Sequence, residues 1–195
     1  METLTPTLTR TEELLDVVDQ YGEPTGQVLD KGTIHDLGMP HRDVHVWITN
    51  GQDFLQQQRN LDKSIMPGAW DISVGGHVGA GESYLGAAMR ETSEELGIDL
   101  APQRFIRIGR VATQLQFPGW RQAHNIVGDN FVVVEPDLKI SDLRLQTEEV
   151  MGARWYPIDQ LEQDLVDPET ALRHAPQPKT LYALGIAGMR GAHLL

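Results

Sequence analysis

A chain of 195 residues is one domain of ordinary size, and 40% hydrophobic with 23% charged residues places it among globular rather than disordered sequences. Sixteen Lys and Arg stand against 28 Asp and Glu, and the resulting formal charge of −12 argues against nucleic acid or an anionic membrane as partner. There is no cysteine, which excludes a disulfide framework, a thiolate metal site and a thiol nucleophile.

The Thr-rich stretch 1–13 reads as a loose tail without the basic and apolar pattern of a leader, and no window holds the roughly 20 apolar residues of a membrane span. A cytoplasmic protein is the expectation. From Leu14, LLDVVDQYGEPTGQVLDKG predicts a strand, a turn and a second strand. A Gly- and His-containing connection leads to the strand VHVWITN, which Asn50-Gly51 turns into a hairpin with DFLQQQR. Residues 60–82 are loop-rich, with a short strand over Trp70 to Val74. The clearest helix is 83–96: Ser83 is its N-cap, Leu85, Ala88, Met89, Thr92 and Leu96 share one side, and Gly97 is its C-cap. Strands follow in RFIRIGRVATQLQ, NIVGDNFVVVEP and ARWYPI, then a helix over Asp159–Val166 and one or two short helices around a Pro-Gln-Pro break. This order predicts an α+β domain over 14–166, in an αβα arrangement, with a helical segment 167–195 packed on it. The apolar content of LYALGIAGMRGAHLL makes that segment either a docking element or the surface of a homodimer.

Glu91, Glu94 and Glu95 stand at i, i+3 and i+4 on the central helix, so all three project within a sector of roughly 100° beside its apolar side. Such carboxylates repel one another unless a cation lies among them. They also lie toward the C-terminal end of the helix, where its dipole disfavours negative charge. The preceding Gly75-Gly76-His77-Val78-Gly79-Ala80-Gly81 suits close approach of a ligand or metal. Hard oxygen donors without sulfur favour Mg²⁺ or Mn²⁺ over a softer ion.

Gly76, Glu82, Arg90, Glu91, Glu94, Glu95, Gly97 and Ile98 resemble the Nudix box at every defining position but one, where Thr92 replaces an aliphatic residue. The resemblance implies an αβα sandwich with a mixed sheet, whose catalytic helix follows a Gly-rich loop. It makes Glu94 and Glu95 principal metal ligands, Glu91 a ligand or the base, Arg90 the residue that orients them, and Glu82 a support of the loop or a member of the metal shell. The Gly76 carbonyl and a later glutamate, Glu149, complete the set. Outside the box, His35, His41-Arg42, Arg59, Lys63, Pro67-Gly68, Trp70 and Gly76-His77 resemble the subgroup that includes type 1 isopentenyl-diphosphate isomerase. That enzyme performs proton transfer with a cysteine, at the position of Gly75, and holds a metal on histidines equivalent to His35, His41 and His77.

With Gly75 in place of the cysteine and the glutamates intact, the residues suit hydrolysis of a small organic diphosphate rather than isomerisation. The isomerase reading and a non-catalytic nucleotide-binding module are the alternatives. Arg59 and Lys63 are expected on the diphosphate, since an Arg fork pairs phosphate oxygens. His35, His41, His45 and His77 read first as hydrogen-bonding residues, with His77 facing substrate. Phe117-Pro118-Gly119-Trp120 is an aromatic turn that either stacks on the substrate, through Trp120, or packs at the rim. Trp47, Trp70 and Trp155 are assigned to the core.

Overall fold

Strands β1 (Leu14–Val18) and β2 (Pro24–Asp30) form an antiparallel hairpin in the computed structural model, which describes residues 13–63, 65–117, 119 and 121–192. The Thr-rich residues 1–12 and Trp120 lie outside the described residues. At the hairpin turn the Asp19 carboxylate accepts from the Tyr21 and Glu23 N–H groups. The connection that follows is not a loop. Asp30 caps a short helix α1 (Lys31–Asp36) by accepting from the Thr33 N–H, and Ile34 packs under the hairpin against Leu15 and Val17.

The main sheet is built around β3 (His41–Thr49), every residue of which is buried. On one side β3 pairs antiparallel with β6 (Val74–His77), and on the other it pairs parallel with β8 (His124–Val134), from His41↔Ile126 to Thr49↔Val134. Strand β7 (Ile106–Leu115) pairs antiparallel with β8 at the edge. The Asn50 turn leads to β4 (Asp53–Arg59), its Oδ1 accepting from the N–H groups of Gln52 and Asp53. β4 meets β3 only at Thr49↔Phe54 and then pairs with β9 (Val150–Pro157) and β5 (Trp70–Asp71). The sheet therefore splays after one residue pair, and the gap between its halves becomes a cleft. The single strand expected over Trp70 to Val74 is divided for the same reason: Trp70 pairs with Gln58 on β4, whereas Val74 pairs with Val46 on β3.

Alternation along β3 supplies both hydrophobic layers. Val44, Val46 and Ile48 pack with Ala87, Ala88 and Leu96 of α2 (Tyr84–Leu96). Trp47 packs on the other side with Leu181, Tyr182 and Ile186 of α5 (Lys179–Ala192), joined by Ile158 and Leu161 of α3 (Ile158–Asp164), with the short α4 (Pro168–Ala171) between these two helices in the chain. This is the α+β sandwich with a mixed sheet that was expected. Gly185 lets α5 lie directly on Trp47, since a Cβ there would come within 2.3 Å of the indole ring. Leu181, Tyr182, Ile186 and Met189 of the apolar C-terminal stretch are thus part of the core. Of the three tryptophans assigned to the core, Trp47 is fully buried and Trp155 packs against the α2-side cluster. Trp70 is only half-buried, with the Arg154 guanidinium 3.9 Å from its ring centroid. No helix among the described residues is long and apolar enough to cross a membrane.

Candidate active site

Helix α2 begins as its sequence predicts, with the Ser83 hydroxyl accepting from the Gly86 N–H, and ends at Gly97 with φ of 69°. The Gly-rich segment before it is clamped by the hairpin. Asp16 on β1 accepts from the Gly81 N–H at 2.8 Å and from the buried Arg42 guanidinium at 2.7 Å, while the Ala80 N–H donates to the Leu14 carbonyl. This fixes β6 and the start of α2 against each other. Gly76 leaves room for the Glu91 carboxylate at their contact, because a Cβ there would lie 2.2 Å from Cδ of Glu91 and push that side chain aside. Gly76→Ala is therefore expected to displace Glu91 and to weaken Mn²⁺ binding about 10- to 100-fold, the range seen when a ligand's support is lost. Titration followed by electron paramagnetic resonance, with melting as a control for folding, measures this.

Arg90 holds the acidic cluster together. Its guanidinium donates to both Glu82 oxygens, to Glu91 Oε1 at 2.7 Å, to Glu94 Oε2 at 3.0 Å and to the His77 carbonyl. Glu82 also accepts from the Gly79 N–H. Against the cost of its partial burial, these bonds hold the Glu82 carboxyl below the ordinary glutamate range. The three glutamates expected to bind metal are not equivalent. The Glu94 side chain is half exposed, whereas Glu91 is mostly covered and Glu95 is buried, with only 6% of its surface open. Burial lifts the Glu91 carboxyl above the usual range although Arg90 pulls it down. Burial, and then the nearby negative charge of Glu91, raises Glu95 well above it. Glu95 receives one hydrogen bond from a side chain, from Gln57 Nε2 at 3.1 Å. A buried carboxylate facing other acids with no cation partner is costly, and a divalent ion relieves that cost. The donor set fits the hard ion expected from the sequence.

These glutamates line a cleft of about 400 Å³ between the halves of the sheet, together with Gly76, His77, Arg59, Lys63 and Glu149. The expected metal ligands and substrate contacts that lie among the described residues all line this cleft with Arg90, whereas Glu82 is tied to it through Arg90. Arg59 is bonded to Asp71 and to the Ile65 carbonyl, and Lys63 is ion-paired with Glu149, so both cations already have partners. Phe117 reaches the same cleft from the aromatic turn.

The structure also brings together His35, His41, His77 and His124, whose ligand atoms lie within 4.8 Å of one another. His45 is not among them, because its ring packs on Gly128. His124 carries no local signal. It joins the group because the parallel pairing of β3 with β8 begins beside it, and its Nε2 lies 3.0 Å from Nε2 of His41. The Met39 carbonyl accepts from His41 Nδ1, which assigns the proton to that nitrogen and directs Nε2 toward the cluster. Burial, then the like charges of neighbouring rings, pushes His35 down to about 3. Burial takes His124 down to about 4 against the pull of Asp43. Rings that stay neutral at physiological pH are in the form that binds metal.

A model of the NUDIX domain family matches residues 39–178. The chain is 36% identical over 152 residues to Nudix hydrolase 3 of Arabidopsis thaliana, covering 76% of this chain but 20% of that protein, so it spans about a fifth of that relative's length. It is 33% identical over 180 residues to an uncharacterized Nudix hydrolase of Pseudomonas aeruginosa, covering 88% of this chain and 91% of the relative. An isopentenyl-diphosphate Delta-isomerase of Klebsiella pneumoniae is 29% identical over 149 residues, 73% of this chain and 75% of that one. The fold is shared with a crystal structure of a Deinococcus radiodurans protein, at a TM-score of 0.59 and 21% identity over 88% of this chain and 97% of that chain.

Proposed function

Because this chain belongs to the Nudix family, we propose that it hydrolyses the diphosphate bond of a small nucleoside diphosphate derivative or another organic diphosphate, with Mg²⁺ or Mn²⁺ as cofactor. The observation that carries this reading is the buried Glu95 beside Glu91, backed by Gly76 and crossed by Arg90, in the wall of a cleft that also holds Arg59 and Lys63. Glu91, Glu94, Glu95 and the Gly76 carbonyl would hold the ions, with Glu149 as a further ligand. Bound there, they would supply positive charge that screens the diphosphate oxygens and lowers the pKa of a bound water toward neutrality.

The chain's own groups do the rest. Arg90 fixes the rotamers of Glu91 and Glu94, so that the carboxylates are preorganised before substrate arrives. A water oxygen bonds to phosphorus, the bridging P–O bond breaks, and the water proton passes to a cleft carboxylate. Arg59 and Lys63, exchanging their carboxylate partners for phosphate oxygens, steady the departing group.

Isomerisation is the weaker alternative. A Cβ at Gly75 would meet only ordinary contacts, the nearest at 3.6 Å, so crowding does not account for the glycine; the group for proton transfer is simply missing. A phosphate-release assay over nucleoside and prenyl diphosphates, with and without Mg²⁺, tests the proposal. Metal-dependent release is the expected result, and isomerised product without release would reverse the assignment.

The four clustered imidazoles support a second metal on His35, His41, His77 and His124, since nitrogen donors at this spacing suit a borderline ion. Metal analysis is expected to show one fewer ion per chain in His41→Ala. Unchanged stoichiometry removes this centre.

A further inference from the structure

The wall of the cleft opposite the histidines is made by a segment far away in sequence. Residues 173–177 run beside β5: the Trp70 N–H donates to the Arg173 carbonyl at 3.1 Å, and the Ala175 N–H donates to the Trp70 carbonyl at 2.7 Å. His174, 1% exposed, locks this strap in place between Asp164 and Gln56, each at 3.0 Å. The Tyr182 hydroxyl donates to the Ala175 carbonyl from α5. The strap therefore delivers Gln177 into the cleft on a fixed backbone.

There Gln177 Nε2 donates to Asp71 Oδ1 at 3.1 Å, and the other Asp71 oxygen accepts from Arg59 at 3.1 Å. Next to Asp71 in the register is Gln57, 4% exposed, whose Nε2 is taken by Glu95 and whose buried Oε1 has no hydrogen-bond partner. Acceptors of this kind need a donor from whatever fills the space. A hydrocarbon chain would leave the buried Gln57 Oε1 without a donor and lie against the polar Asp71–Gln177 pair, whereas a hydroxyl-bearing group can donate to Gln57 and bond to the Gln177 amide. Ile65, Met66 and Pro176 supply an apolar flank for the face of a ring.

We infer that Gln177, presented by the strap beside Gln57 and Asp71, is a specificity-determining residue that selects diphosphates whose organic group carries hydroxyls over those with a hydrocarbon chain. The inference rests on the hydrolase reading. It also assigns a task to the buried Asp164–His174–Gln56 chain, which positions the strap without touching substrate.

Wild type and Gln177→Leu are compared on ADP-ribose and isopentenyl diphosphate with Mg²⁺, recording kcat and KM separately and the melting temperature of each protein. Wild type is expected to favour ADP-ribose in kcat/KM by at least about tenfold, as a site built for hydrogen bonding rejects an analogue that lacks the group. Gln177→Leu should lose most of that preference through a higher KM for ADP-ribose, at an unchanged melting temperature, and Gln177→Glu should keep part of it. An unaltered ratio, or an equal fall in kcat on both compounds, overturns the inference and leaves the hydrolase reading intact. Release of phosphate or nucleotide from neither compound by wild type overturns the inference, and silence across the wider panel of diphosphates overturns the hydrolase reading as well. If Gln177→Leu melts early, Gln177→Met at the same position and the Gln177→Glu ratio decide the matter.

Discussion

Replacing Glu95 by glutamine is expected to cut turnover on a diphosphate at least about 100-fold while the fold stays intact, the scale of losing one electrostatic stabiliser. The substitution keeps the shape of the side chain and a polar atom next to Gln57, and it removes only the charge. In the metal-free protein that charge is a burden, since Glu95 is buried and faces Glu91, and its side-chain partner is the neutral Gln57 amide. Glu95→Gln should therefore melt at the same temperature as wild type or higher when metal is removed. The two results together separate a ligand from a structural residue, for which activity and stability would fall in parallel. Glu94→Gln tests the exposed end of the cluster, where the charge is also paired with Arg90. Near-normal turnover in both variants would contradict the assignment.

Excess chelator should abolish turnover, and Mn²⁺ or Mg²⁺ should restore it and raise the melting temperature more at pH 8 than at pH 5. The sign follows from the raised carboxyls. Glu91 and Glu95 titrate above the ordinary value of 4.5 in the folded chain, so as pH rises past that value the unfolded chain releases protons that the folded chain still holds. The contribution of these two carboxyls to the stability of the metal-free protein is full below 4.5 and is lost as pH rises through their folded-state values. A cation that takes the place of those protons binds more tightly as pH rises over the same window, and binding to the folded state alone raises its stability. Calorimetry at the two pH values, with and without Mn²⁺, measures the difference. A shift that is the same at both, or full turnover in chelator, would show that these acids do not hold the ion.

The sequence is most informative where the physics is local. The caps at Ser83 and Gly97 bound α2 correctly, and the Asn50 turn between β3 and β4 is where the dipeptide puts it. The short helix α1 escapes notice because six residues carry too little periodicity, and its one signal, Asp30 as N-cap, lies at the end of a strand. Trp70 is assigned to the core by its residue type, yet at the short β5 it stacks under Arg154 instead. The graded exposure of Glu94, Glu91 and Glu95 is likewise invisible in the helical projection. It depends on how close β4 and β6 come to the helix, which the angles around its axis do not contain.

What the sequence alone determined was the chemistry: three carboxylates one helical turn apart, an arginine beside them and a glycine loop ahead of them, all within 23 residues from Gly76 to Ile98. Backbone periodicity over a few residues suffices to place such groups side by side. Only the tertiary structure decided that Glu95 is covered by Gln57, that His124 joins three histidines distant in sequence, and that Gln177 closes the far wall of the cleft. Each of those meetings depends on strand register and on a strap docked across the sheet, and spacing along the chain carries no measure of which distant strands will pair.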